Sequence, residues 1–144
     1  MFQDKIILTQ TDTTIGFVSQ NANRLSEIKK RPQHKHYIKA IESLSSLKSL
    51  ARVPNRYKNM IRRAKKSTFI LPSGDSYRVI RDTHHLLILK RFGWVYTSSA
   101  NLSGKEYDEK FAKKSADVIV TPLLPNQKPS TIYKINNKTI KRIR

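Results

Sequence analysis

The apolar residues of this chain come in short runs, interrupted every few positions by polar turns, proline or glycine. None approaches the roughly 20 residues needed to span a bilayer. That punctuation restricts the fold to short strands and short helices layered around one core. Lys5 to Thr9 and Ile15 to Ser19 are β-rich runs and read as strands. Asn23 to Lys30 reads as a helix with Leu25 and Ile28 on one face and Asn21 or Asn23 as its cap. Pro32 ends it, because the residue before proline avoids helical geometry. His36 to Ile41 reads as a strand, and Ser43 or Ser45 caps a helix through Leu50. Pro54 suits the first turn of a helix reaching about Lys65, with Tyr57, Ile61 and Ala64 inward.

Ser67 to Leu71 is the next strand, followed by a Pro72-Ser73-Gly74-Asp75 turn and a partner strand, Ser76 to Arg81. Thr83 to Phe92 reads as a helix stopped by Gly93. Trp94 to Ser98 reads as a central strand, Asp108 to Ser115 as a helix and Asp117 to Thr121 as a strand. Thr131 to Ile135 and Thr139 to Ile143 form a hairpin around Asn136-Asn137. Strands interspersed with helices predict the α/β (α+β) class: a twisted mixed β-sheet with flanking helices. At 144 residues, positions 1–144 fit one domain.

Composition narrows the function. With no cysteine, disulfides, thiolate metal sites and cysteine nucleophiles are excluded. Lys and Arg number 29 against 10 Asp and Glu, a formal charge of +19 that predicts attraction to polyanions. A solvated basic surface is the bland alternative. The segment Met1 to Lys5 lacks the charged start and apolar stretch of a signal peptide, so the cytoplasm, with no membrane partner, is the expected location. Four glycines, Gly16, Gly74, Gly93 and Gly104, cannot form GxGxxG or a phosphate-binding Walker loop. His34-Lys35-His36 and His84-His85 lack carboxylate or thiolate company at ligand spacing, so no metal site is expected.

Thr97-Ser98-Ser99-Ala100-Asn101-Leu102-Ser103-Gly104 carries the strongest chemical signal. It leaves a buried strand as a cluster of neutral donors, at the kind of sheet end where open α/β sheets place ligands. Ser99 and Asn101 alternate, so both can face one side. Lys29 and Arg31 diverge by about 200° in a helix, but an extended exit before Pro32 points both into one cleft. Arg grips carboxylate or phosphate bidentately, and Lys acts as a mobile point charge. A plain polar turn and a solvated helix end are the competing readings.

These segments resemble the YrdC-like family of threonylcarbamoyl-adenylate synthases. TSSANLSG looks like the family's signature loop, and Thr11-Asp12-Thr13-Thr14-Ile15-Gly16 resembles its PTDTVYG-type loop. Lys29-Lys30-Arg31-Pro32 resembles its KxRP element, and Pro129-Ser130-Thr131-Ile132 its PSTI element, with Arg144 where an arginine is often found. Val79 to His85 is similar to its RVxxHP segment. The resemblance implies a twisted sheet with a basic concave cleft. It implies that Lys29, Arg31, Ser99 and Asn101 form a catalytic and nucleotide-binding tetrad. By the same comparison Thr11, Asp12, Thr13 and Arg81 lie near threonine and bicarbonate, and Ser130 and Arg144 near the nucleotide. Asp12 also suits a simple Asx turn.

The implied enzyme is a nucleotidyltransferase, an L-threonylcarbamoyladenylate synthase. It joins L-threonine, bicarbonate and ATP, with Mg²⁺ bound through the phosphates. Its product goes to a tRNA threonylcarbamoyl-transferase complex, for the threonylcarbamoyl-adenosine modification of tRNA. The chain departs from the family pattern at several points. Gln10 replaces a proline, Ile15 an aromatic and Leu86 a proline, and Ala64 to Thr68 replaces PGPxT with only Thr68 kept. A second reading therefore stands beside the first: a catalytically weakened relative that binds tRNA or other RNA in ribosome or tRNA maturation. The charge favours it, although Tyr57, Tyr77 and Tyr107, which could stack on bases, are not clustered in sequence.

Overall fold

The computed structural model describes residues 3–124 and 127–144. Among the described residues nine strands build one sheet: β1 (Ile7–Gln10), β2 (Ile15–Ser19), β3 (Ile38–Ile41), β4 (Ser67–Ile70), β5 (Ser76–Val79), β6 (Trp94–Ser99), β7 (Val118–Ile119), β8 (Thr131–Ile135) and β9 (Ile140–Arg142). Their order is β7-β1-β2-β6-β3-β5-β4-β8-β9. The β1–β7, β3–β5 and β4–β8 pairs are parallel and the other five antiparallel, so the sheet is mixed. Five α-helices are found among the described residues: α1 (Ala22–Lys29), α2 (Leu44–Leu50), α3 (Lys58–Arg63), α4 (Thr83–Phe92) and α5 (Glu109–Ser115). None is long and apolar enough to cross a membrane.

Register decides which side chains share a face. Thr97 lies opposite Val18 on one side and Ile38 on the other, while Ala40 lies opposite Val95 and Arg78. Because strand side chains alternate, Val18, Val95, Thr97, Ser99, Ile38, Ala40 and Arg78 fall on one face. Helix α4 covers part of it, packing Leu89 among Ile7, Val18, Ala40 and Val95. The opposite face takes the other four helices. There α1 and α5 bring Leu25 and Ala112 onto Leu8 and Phe17. At the other end α2 and α3 bring Leu44, Leu47 and Ile61 onto Ile41, Phe69 and Tyr77. Phe17 and Leu25 are fully buried, and each such burial contributes roughly 1.5–3 kcal/mol. With four helices on one face and one on the other, the strand ends beyond α4 are left with hydroxyls and Arg78.

The helices start where side chains satisfy their first amides. Asn21 Oδ1 accepts from Arg24 N, Ser43 Oγ from Ser46 N, Asp82 Oδ2 from His85 N and Asp108 Oδ1 from Lys110 N. Each cap is worth about 1 kcal/mol. α1 stops before Pro32 acts: Lys30 adopts the left-handed conformation (φ 53°, ψ 41°), and its amide returns to Glu27 and Ser26. The stretch expected as one helix from Pro54 is broken. A 3-10 turn, Asn55–Tyr57, precedes α3, which ends at Arg63. β3 starts at Ile38 rather than His36, whose carbonyl is taken by Arg31. β7 is held to two residues by its brief parallel pairing with β1.

Candidate functional site

Between β1 and β2 the chain reverses through Thr11 to Thr14, and the turn is closed by its own hydroxyls. Thr11 Oγ1 donates to Thr14 O at 2.6 Å, and Thr13 N donates to Thr11 Oγ1 at 3.2 Å. Gln10, standing where the resemblance expects proline, braces the turn from outside. Its Nε2 donates to the carbonyls of Thr11 and Thr13, and its Oε1 accepts from Leu124 N. Gly16 is required for close approach: a Cβ there would meet Ser98 O at 2.9 Å and Thr11 Cγ2 at 3.0 Å. The turn is thereby seated against β6.

Arg78 projects from mid-β5 beneath this turn. It is buried, donating Nη1 to Thr13 Oγ1 at 3.1 Å and Nη2 to Asp12 Oδ1. Burial pulls the Arg78 pKa down, and the Asp12 carboxylate opposes that shift. Burial alone would raise Asp12, but His85 and the Arg78 charge beside it more than offset this, and its carboxyl lies below the ordinary value. His85 Nδ1 is 3.8 Å from Asp12 Oδ1, beyond hydrogen-bond length in this conformation. Arg78 Nε is buried with no acceptor.

Lys29 and Arg31 part company at the end of α1. Lys29 is buried, and its Nζ donates to Ser99 O at 2.6 Å and Asn101 O at 2.7 Å, while Ser103 N donates to Lys29 O. Burial, helped by the charge of Arg31, lowers its pKa to about 8. Asn101 spends its amide on the carbonyls of Leu102 and Lys105, and its Oδ1 accepts from the Ser99 hydroxyl. Arg31 instead turns along the sheet end. It donates Nη2 to His36 O at 2.9 Å and lies over the Tyr37 ring at 4.8 Å, and its Nε is buried without a partner.

From the far side come the segment before β8 and the last residue. Arg144 Nε donates to Ser130 O at 3.0 Å and Nη2 to Ser130 Oγ at 3.2 Å, while Ser130 Oγ and Thr68 Oγ1 share a 2.8 Å hydrogen bond. Thr11, Thr13, Arg31, Arg78, Ser99 and Arg144 meet, with Ser130, around a cavity of about 210 Å³. Three arginines and no carboxylate line it among the described residues. A neighbouring cavity shares Thr14 and Ser99 with it and contains Asn101.

Of the residues expected near substrate, Thr11, Thr13, Arg31, Ser99, Ser130 and Arg144 are brought together here. Lys29 and Asn101 join them from behind, through the loop they hold. Asp12 turns away to Arg78 and His85. Arg81 is exposed, donates to Arg63 O, and lines a separate hollow with Asp12, Lys65 and Lys66. The arginine that reaches the cavity from this segment is Arg78, three residues earlier, which sequence reasoning missed. Its signal was a charged residue in the middle of a strand, directly before Val79.

These elements define an α/β domain whose partly uncovered sheet face carries a polar cleft at its strand ends. The Sua5/YciO/YrdC family model, described as telomere recombination, matches residues 1–144, and the chain belongs to that family. An uncharacterized protein of Mycoplasma pneumoniae is 30% identical over 92% of this chain and 30% of its own length. The chain spans less than a third of the curated relatives it matches. The crystal structure of P. abyssi Sua5 complexed with L-threonine superposes with a TM-score of 0.80 at 20% identity, covering 97% of this chain and 50% of that one. E. coli YciO superposes at 0.78 with 19% identity, over 98% and 82%. At these identities the likeness is one of fold.

Proposed function

We propose that the cleft makes threonylcarbamoyl-adenylate and pyrophosphate from L-threonine, bicarbonate and ATP. The observation that carries this reading is the convergence of Arg31, Arg78 and Arg144 on one small cavity, with the Nε atoms of Arg31 and Arg78 unspent. Buried donors without acceptors are costly unless a ligand supplies the acceptors. Arginine fits carboxylate and phosphate alike. The fold it shares with a Sua5 solved with L-threonine supports the amino-acid half of the assignment.

In this reading the amine of threonine captures bicarbonate as a carbamate, with loss of water. A carbamate oxygen then attacks the α-phosphorus of ATP, and the bond to the β-phosphate oxygen breaks to release pyrophosphate. Arg78, held in place by Asp12 and Thr13, receives the threonine carboxylate. Arg31 and Arg144 receive phosphate oxygens, with the Ser99 and Ser130 hydroxyls beside them. Lys29 and Asp12 act as positioning residues, one through the Ser99–Asn101 loop and the other through Arg78. All reactants are anionic or become so, so positioning and charge neutralisation supply the catalysis and no covalent nucleophile is needed. Mg²⁺ would be held by the phosphates of the nucleotide and would help neutralise them, since no carboxylate lines the cavity among the described residues.

The test is pyrophosphate release from ATP and bicarbonate, with and without L-threonine, for the wild type and Arg31→Ala. Threonine-dependent release that the substitution abolishes supports the assignment. Release that is absent, or independent of threonine and Arg31, overturns it.

A further inference from the structure

His85 is fully buried, and neither of its ring nitrogens has a hydrogen-bond partner among the described residues. A buried polar group left unpaired is costly, so a ring in this state calls for a role. Its own helix ties it to the scaffold. The His85 amide donates to the capping carboxylate of Asp82 at 2.9 Å, and one turn further on Leu89 packs into the core of the sheet. The oxygen that His85 Nδ1 faces at 3.8 Å, Asp12 Oδ1, is the same one that accepts from Arg78 Nη2. His85, Asp12 and Arg78 therefore form a row of three buried side chains. The row starts on α4 and ends on the guanidinium that lines the arginine cavity.

We infer that His85 is a positioning residue for the amino-acid carboxylate, donating its Nδ1 proton to Asp12 when that carboxylate occupies Arg78. This rests on the synthase reading, which names the carboxylate as that of L-threonine. Two carboxylates on one guanidinium repel each other. As the ligand closes on Arg78, the bond from Nη2 to Asp12 weakens, and Asp12 becomes a buried anion short of donors. His85 stands where it can supply one: a shift of about 1 Å brings the pair to hydrogen-bond length. The helix holds the ring still, so the movement falls to the Thr11–Thr14 turn. That turn also carries Thr11 and Thr13 into the cavity, so the seating of the ligand and of the turn are coupled. His85 thus does for Asp12 what Asp12 does for Arg78, holding a group in place from behind.

Titration of the full chain with L-threonine, followed by NMR of the histidine ring nitrogens, tests this directly. The bound wild type should show a slowly exchanging, downfield Nδ1 proton on His85, assigned by its loss in His85→Asn. Calorimetry supplies the second readout. His85→Leu keeps the bulk but not the donor, and should weaken L-threonine about tenfold while leaving ATP affinity unchanged. His85→Asn, whose amide nitrogen can stand where Nδ1 stands, should restore most of the loss. A bound wild type without that proton would overturn the role of His85. So would L-threonine and ATP affinities that fall together, or His85→Asn no better than His85→Leu, since either marks a merely structural ring. Wild type that binds ATP but no L-threonine would instead overturn the synthase reading, and the role of His85 with it.

Discussion

Lys29 Nζ lies 2.6 Å from the carbonyl oxygen of Ser99, 70 residues further along the chain, and 2.7 Å from that of Asn101. The last residue of α1 therefore shapes the loop that leaves the central strand. An ammonium is well suited to the task because it offers three donors from a single point. The cost is a buried cation with two neutral partners and Arg31 nearby.

That cost predicts a pH signature. The Lys29 pKa falls from 10.5 to about 8 on folding, so between those values the unfolded chain holds more protons. Its contribution to stability is full above 10.5 and is lost as pH falls through about 8. Lys29→Met removes this dependence. Urea denaturation should show the wild type gaining on the variant as pH rises from 8 to 10. A stability gap that does not change with pH would show that Lys29 holds the same charge in both states.

Asp12 presents the opposite sign. Asp12 and Arg78 side chains are 7% and 6% exposed, so Asp12→Ala would leave a guanidinium buried with no counter-charge. Breaking a buried pair in this way costs about 3–5 kcal/mol. Because folding lowers the Asp12 pKa, its stabilising effect is present above the ordinary value of 3.8 and is lost as pH falls through the lower folded value. The gap between wild type and Asp12→Asn, read by urea denaturation, should be steady from pH 7 to 5 and close below pH 4.

Local signals made much of this fold legible. β2 and α4 have the bounds expected from sequence, since a short apolar run and an Asp82-to-Gly93 bracket leave few alternatives. The hairpin of β8 and β9 was equally visible. What sequence reasoning missed depended on partners distant in the chain. The break at Tyr57 follows from tertiary contact, its hydroxyl donating to Lys138 O, 81 residues away. Arg78 was overlooked because its partners, Asp12 and Thr13, lie on another loop. Of the tyrosines that are not clustered in sequence, Tyr57 and Tyr77 share one buried cluster, while Tyr107 is exposed. Motif order identified the loops of the cleft, but not that Lys29 supports a loop while Arg31 lines a wall.

Gly16 tests how tightly two of those loops are seated. A methyl group there meets the backbone oxygen of Ser98, which cannot rotate away, as well as a Thr11 methyl. Gly16→Ala should lower stability by about 1–3 kcal/mol, the usual cost of overpacking. It should also move the Thr11–Thr14 turn away from β6. Thermal melting and amide chemical shifts of residues 11–14 check both. A variant that melts like the wild type would mean the turn is not seated on β6 in solution.

Ser130 and Arg144 should behave as one unit. Arg144 Nη2 and Thr68 Oγ1 both reach Ser130 Oγ, so the hydroxyl sets where the guanidinium sits. Under the proposed reaction Arg144→Ala removes a charged phosphate contact and should raise the KM for ATP and lower kcat/KM by on the order of 10²-fold. Ser130→Ala leaves the charge present but less well aimed, and should cost about tenfold or less, because a neutral hydrogen bond is the weaker interaction. Residues sharing one network are not additive, so the double variant should be no worse than Arg144→Ala alone. Steady-state pyrophosphate release across the four proteins measures this coupling. Additive losses would mean that Ser130 and Arg144 meet the nucleotide independently.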